Sequence, residues 1–177
     1  MRVAIIGCGN IGSKRAVAIS KNKKTKIEYI VGRKKKIQKK DYLAKKIAKK
    51  LNIKYSTNRT KVISTGIDSV ILRTQPNLFL KFGKEILNKK KHLLIEKPLG
   101  LNSKEALKLV NIAKKNKVFL KTGFNLRFDD GIMLAKKLLT KKNIGKVYFF
   151  KIEYVNGTAK SNKNRVGSMS DIGSHSL

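Results

Sequence analysis

The chain has 177 residues, 41% of them hydrophobic and 7% aromatic, enough for one ordinary domain or for one domain and part of another. The 43 Lys and Arg against 10 Asp and Glu give a net charge of +33, so non-specific adhesion to polyanions at low salt is expected whatever the function. The lone Cys8 excludes an internal disulfide and a cysteine-based zinc cluster, no apolar run approaches the ~20 residues of a membrane span, and the start lacks a signal-peptide pattern; the expectation is a cytoplasmic protein with no metal site and no membrane partner.

A basic chain invites a nucleic-acid reading. The lysines, however, are spread along nearly every helix and loop, without an arginine–aromatic module or a helix-turn-helix pattern. No specific nucleic-acid partner is expected.

The first element is the most informative. Val3-Ala4-Ile5-Ile6 is a short apolar run that reads as a buried strand, and Gly7-Cys8-Gly9-Asn10-Ile11-Gly12 follows it with the G-x-G-x-x-G spacing. Gly7 permits the tight turn, Gly9 lets the backbone approach a pyrophosphate, and Gly12 lets helix and strand pack closely. Free N–H groups at the helix start, Asn10 and Ile11 among them, then hold phosphates. Ser13 to Lys21 reads as the first helix and Lys26 to Val31 as the second strand.

About twenty residues past such glycines, an NAD site offers an acid to the ribose 2′-hydroxyl. Here the chain reads Gly32-Arg33-Lys34-Lys35-Lys36, with no acid. Arg33 is suited to a 2′-phosphate, so NADP is expected in preference to NAD.

Ile37 to Leu51 is an amphipathic pattern whose apolar positions are Tyr42-Leu43, Ile47 and Leu51. Ile53 to Tyr55 and Ile67 to Leu72 read as strands, and Thr74-Gln75-Pro76-Asn77 is the turn after the latter, where open α/β sheets bind ligands. Leu78 to Asn88 is helical in pattern, and His92 to Ile95 is a fifth strand, with His92 read as structural. Glu96-Lys97-Pro98 follows at once. Asn102 or Ser103 caps a helix through Lys115 with Ala106, Leu107, Leu109, Val110 and Ala113 on its apolar side, and Val118 to Thr122 is a sixth strand. This alternation means a parallel, doubly wound Rossmann sheet.

The succession of Gly7-Cys8-Gly9-Asn10-Ile11-Gly12, Thr74-Gln75-Pro76-Asn77, Glu96-Lys97-Pro98, Gly123-Phe124-Asn125-Leu126-Arg127-Phe128 and Asp171-Ile172-Gly173-Ser174-His175 resembles the glucose–fructose oxidoreductase / inositol dehydrogenase (Gfo/Idh/MocA) family. The resemblance implies NAD(P)-dependent hydride transfer to or from a secondary hydroxyl of a sugar, cyclitol or related polyol. It places catalytic roles on Lys97, Asp171 and His175. Cofactor contacts fall on Gly7, Gly9, Asn10, Ile11, Gly12, Arg33, Thr74, Gln75, Asn77, Glu96, Lys97 and Asn125. The Lys97–Pro98 bond is expected to be cis, as it commonly is in the family. A histidine titrating near neutral pH suits removal of a hydroxyl proton, an adjacent carboxylate orients it, and Lys97 places positive charge where alkoxide character develops.

Three departures stand out: Arg73 where the family has a small residue, Phe79 where a histidine is common, and Gly32 in place of the acid. Family members also continue well past the Asp-x-x-x-His motif and are homo-oligomeric at full length. Lys146 to Tyr154 reads as the first strand of a C-terminal sheet, with Tyr148, Phe150, Ile152 and Tyr154 on one face. The expected organisation is therefore a Rossmann domain over 1–122 and, over 123–177, only the start of an α+β substrate and oligomerisation domain. The competing readings are a catalytically inactive nucleotide-binding remnant and a basic nucleic-acid-binding protein on the same scaffold.

Overall fold

The computed structural model describes residues 1–33, 39–140, 144–151 and 153. The chain divides into two compact units, Met1–Thr122 and Gly123–Leu177.

In the first unit six parallel strands form one sheet: β1 (Arg2–Ile6), β2 (Lys26–Val31), β3 (Lys54–Ser56), β4 (Ser69–Leu72), β5 (His92–Ile95) and β6 (Leu120–Thr122). Their order is β3-β2-β1-β4-β5-β6, the doubly wound Rossmann order, whose direction reverses between β1 and β4. The helices are α1 (Asn10–Ser20), α2 (Lys39–Lys50), α3 (Arg59–Ile63), α4 (Phe79–Asn88) and α5 (Ser103–Lys115).

Because successive strand residues point to opposite faces, the apolar runs feed two cores. Ala4, Ile6, Val70, Leu72, Leu93 and Ile95 meet Ile86 and Leu87 of α4, Leu109 and Ala113 of α5, and Val62 and Ile63 of α3. On the other face Val3, Ile5, Ile27, Ile30 and Ile71 meet Ala16 of α1 and Ala44 and Ala48 of α2. Strands buried on both faces explain why their sequence is continuously apolar. Phe79 is 1% exposed and belongs to the first of these cores.

Several elements shift from their sequence reading. α1 starts at Asn10, not Ser13, because the glycine turn leads straight into it. In α2 the buried line is Ala44 and Ala48, while Tyr42 is 70% exposed; Ile37 lies outside the described residues. α5 is capped by Asn102, whose Oδ1 accepts the Glu105 N–H at 3.0 Å, and it turns Leu107 to solvent. The short α3 has no sequence pattern of its own length; it is started by Asn58, which accepts the Lys61 N–H at 3.0 Å. His92 is structural as read, its Nδ1 accepting the Phe119 N–H at 3.0 Å.

In the second unit a 3-10 turn over Asn125–Phe128 precedes α6 (Asp130–Thr140), whose first N–H groups are taken by Asp129 Oδ1. The strand expected from Lys146 does not form over the described residues 146–151. A strand exists through ladder hydrogen bonds to a neighbour, and among the described residues of this unit there is no second strand to supply them. Ile152 and Tyr154 lie outside the described residues.

Candidate functional site

The parallel strands bring four loops to the carboxyl edge of one sheet: the glycine turn after β1, Gly32-Arg33 after β2, Thr74-Gln75 after β4 and Glu96-Lys97 after β5. Ligands of open α/β sheets bind at this edge, at the switch between β1 and β4.

The turn after β1 is built as its sequence requires. Gly7 has φ +88°, and a β-carbon on it would collide with the carbonyl of Arg73 and come within 3.3 Å of Thr74 Cγ2. Its N–H donates to Val31 O at 3.1 Å, while Arg73 N–H donates to Ile6 O at 2.8 Å, so the turn is anchored on both flanking strands. A β-carbon on Gly12 would lie 2.5 Å from Gly7 O, which is the close helix–strand approach expected of it. Gly9 differs: nothing stands within 4 Å of the β-carbon it lacks.

Gly9 is also the N-cap of α1, and no side chain caps the helix or places an acid in its first turn. The Ser13 hydroxyl and N–H both turn back to Gly9 O, at 2.9 and 2.8 Å, fixing the turn from below. An uncapped 11-residue helix facing open space is a fitting seat for phosphate, since its first N–H groups lack intrahelical partners and sit at the positive end of the dipole. Asn10 and Ile11, at the helix start, are exposed. Arg73, which directly follows β4, has its Nε buried with no hydrogen-bond partner among the described residues. These features fit a dinucleotide pyrophosphate.

At Gly32, which stands in place of the acid, a β-carbon would meet the hydroxyl end of Tyr55, which β3 places beside β2. Arg33 follows and is exposed; Lys34, Lys35 and Lys36 lie outside the described residues.

After β4, Thr74 is half-buried against Gly7, while Gln75 and Asn77 are exposed around a 3-10 turn begun by Pro76. After β5, Glu96 and Lys97 are both half-buried, and the Lys97–Pro98 bond is cis. Glu96 is engaged by Arg15 of α1, whose Nε donates to Oε1 at 2.6 Å.

The sheet edge thus gathers Gly7, Gly9, Asn10, Ile11, Gly12, Arg33, Thr74, Gln75, Asn77, Glu96 and Lys97. Asn125 belongs to the second unit, and Asp171 and His175 lie outside the described residues. Sequence reasoning missed Arg15 and Tyr55, because both act on residues distant in the chain and carry no local pattern. Among the described residues, no group of His, Cys, Asp and Glu could hold a metal ion, and no helix is long and apolar enough to cross a membrane.

Known proteins agree with this geometry. The family model for the Gfo/Idh/MocA oxidoreductase family, NAD-binding Rossmann fold, matches residues 1–124. A myo-inositol 2-dehydrogenase of Thermotoga maritima is 29% identical over 154 residues, which cover 86% of this chain and 44% of the relative. The crystal structure of a probable dehydrogenase from Thermotoga maritima superposes with a TM-score of 0.74 at 28% identity, covering 82% of this chain and 43% of that one. The scyllo-inositol dehydrogenase from Lactobacillus casei, solved with NAD(H) and scyllo-inositol, shares the fold with a TM-score of 0.72 at 23% identity, over 82% of this chain and 42% of its own. The chain therefore spans less than half the length of these relatives. With a match that spans its whole six-stranded sheet, glycine turn and Glu-Lys-Pro loop, the chain belongs to the Gfo/Idh/MocA family of NAD-binding oxidoreductases.

Proposed function

We propose that this chain is the cofactor-binding portion of an oxidoreductase that moves hydride to or from a secondary hydroxyl of a sugar, cyclitol or related polyol, with NADP preferred over NAD. The observation that carries the reading is the open space over Gly9 at the uncapped start of α1. Residues 1–122 are read as the cofactor domain and 123–177 as the start of the substrate domain. Kinship with a myo-inositol 2-dehydrogenase supports a polyol-like substrate.

When bound, the nicotinamide supplies the hydride acceptor or donor. The chain's own residues have three tasks. The α1 start holds the pyrophosphate. Gly32 leaves no carboxylate to repel a 2′-phosphate, and Arg33 binds it. Lys97 sets a positive charge beside the reacting hydroxyl, where oxygen gains negative charge. By the family motif, His175 accepts the hydroxyl proton and Asp171 orients the imidazole, with Asn125 as a further cofactor contact.

The test is an equilibrium titration of NADPH and NADH by nicotinamide fluorescence at low and moderate salt. Salt is varied because a chain of net charge +33 attracts any anion at low ionic strength. NADPH binding that survives moderate salt, exceeds NADH binding and loses that preference in Arg33→Ala supports the proposal. Salt-sensitive binding blind to the 2′-phosphate overturns the cofactor preference, and no saturable binding leaves a remnant that carries an enzyme's motifs.

A further inference from the structure

No motif singles out Arg15, yet it makes a side-chain contact that links the α1 helix to the loop after β5, across the two halves of the sheet edge. Its Nε donates to Glu96 Oε1 at 2.6 Å across 81 residues of chain, and Nη2 pairs with the same carboxylate oxygen. The two side chains are 26% and 12% exposed, so water screens the pair weakly. Arg15 stands on α1, the helix whose start is the phosphate seat. Glu96 directly follows β5, two strands away from β1, and carries Lys97 on its next peptide.

A Rossmann sheet consists of two mononucleotide-binding halves, β1–β3 and β4–β6, with the dinucleotide lying across both. A ligand gripped by both must find the α1 start and the Glu96-Lys97 loop in one fixed relation. We propose that Arg15 is the positioning residue that sets this relation: it fastens Glu96, and through it Lys97, to the helix that holds the pyrophosphate. The guanidinium suits the task because its planar fork fixes direction as well as charge, which a lysine ammonium does not. The proposal rests on the dinucleotide reading above.

The test separates the halves with two probes. NADPH engages both, whereas 2′,5′-ADP engages only the adenosine half. In Arg15→Ala, NADPH is expected to bind about tenfold more weakly, with its bound emission shifted toward that of free NADPH, the size of effect that follows from losing a charge-assisted hydrogen bond. Binding of 2′,5′-ADP is expected to stay within about twofold. Arg15→Lys recovers part of the loss, and Glu96→Gln reproduces it without removing the side chain. The double variant Arg15→Ala/Glu96→Gln is expected to be no worse than Arg15→Ala alone. If the alanine variant does not fold, the lysine and glutamine variants carry the same comparison. Equal loss for both probes makes Arg15 merely structural and overturns the inference, as does unchanged NADPH binding. A wild type that binds 2′,5′-ADP and NADPH equally tightly also overturns it. A wild type that binds neither overturns the dinucleotide reading itself, and the inference with it.

Discussion

The carbonyl of Arg73 stands in the space that a β-carbon on Gly7 would need, and Gly7 holds φ +88° to make that approach. Two strands adjacent in the sheet but 66 positions apart thus meet through a residue without a side chain. Gly7→Ala would have to relieve both the contact and the positive φ. It is expected to destabilise the first unit by about 1–3 kcal/mol, read as a lowered urea midpoint, and to weaken nucleotide binding with it.

The short α3 is held by charge rather than by its length. Arg59 Nε and Nη2 reach Glu85 Oε2 of α4 at 2.9 and 2.8 Å, and the Thr60 hydroxyl donates to Oε1 at 2.7 Å. The Arg59 guanidinium also lies 3.6 Å from the centre of the Phe82 ring. Glu85→Ala leaves the half-buried Arg59 without its carboxylate, while the exposed Thr60 hydroxyl can turn to water. Chemical denaturation is expected to show a loss of about 1–2 kcal/mol, with nucleotide affinity in the folded protein unchanged.

Cys8 lies inside the glycine turn and is 3% exposed, its Sγ 3.6 Å from the Ser13 hydroxyl. Burial pushes its thiol above the ordinary 9.0, while the Ser13 contact pulls the other way more weakly. The folded chain therefore keeps this proton at pH values where the unfolded chain has released it. The thiol's effect on stability is nil well below pH 9, grows as a loss as pH rises above the unfolded value of about 9, and levels off once pH passes the raised folded value. Wild type is expected to lose more stability than Cys8→Ala as pH rises from about 9 to about 10, as urea midpoints would show. Alkylation of Cys8 at neutral pH is expected only from the unfolded state, so its rate tracks unfolding.

What the sequence made legible was whatever depends on near neighbours. β2 and β5 have the ends their apolar runs implied, and the glycine turn was readable because only glycine serves at Gly7. The Arg15–Glu96 pair and the Tyr55 hydroxyl against Gly32 could not be read, since partners 81 and 23 positions apart meet only once the sheet has formed. The apolar alternation from Lys146 misled for a related reason: alternation describes a strand's faces, not the neighbour that makes it a strand. α6 passed unread although Asp129, a ready N-cap, precedes it.

The central claim is that the α1 start cradles a dinucleotide pyrophosphate, and Gly9→Ala tests it most directly. Gly9 has an extended backbone that any residue adopts, at φ −78° and ψ −161°, and its missing β-carbon would touch nothing in the protein. Stability is therefore expected to change by no more than about 1 kcal/mol, the scale of an N-cap substitution. NADPH affinity measured by calorimetry at moderate salt is expected to fall at least about tenfold, because the new methyl occupies the ligand's approach. A Gly9→Ala protein that is equally stable and binds NADPH as tightly as the wild type would contradict the account.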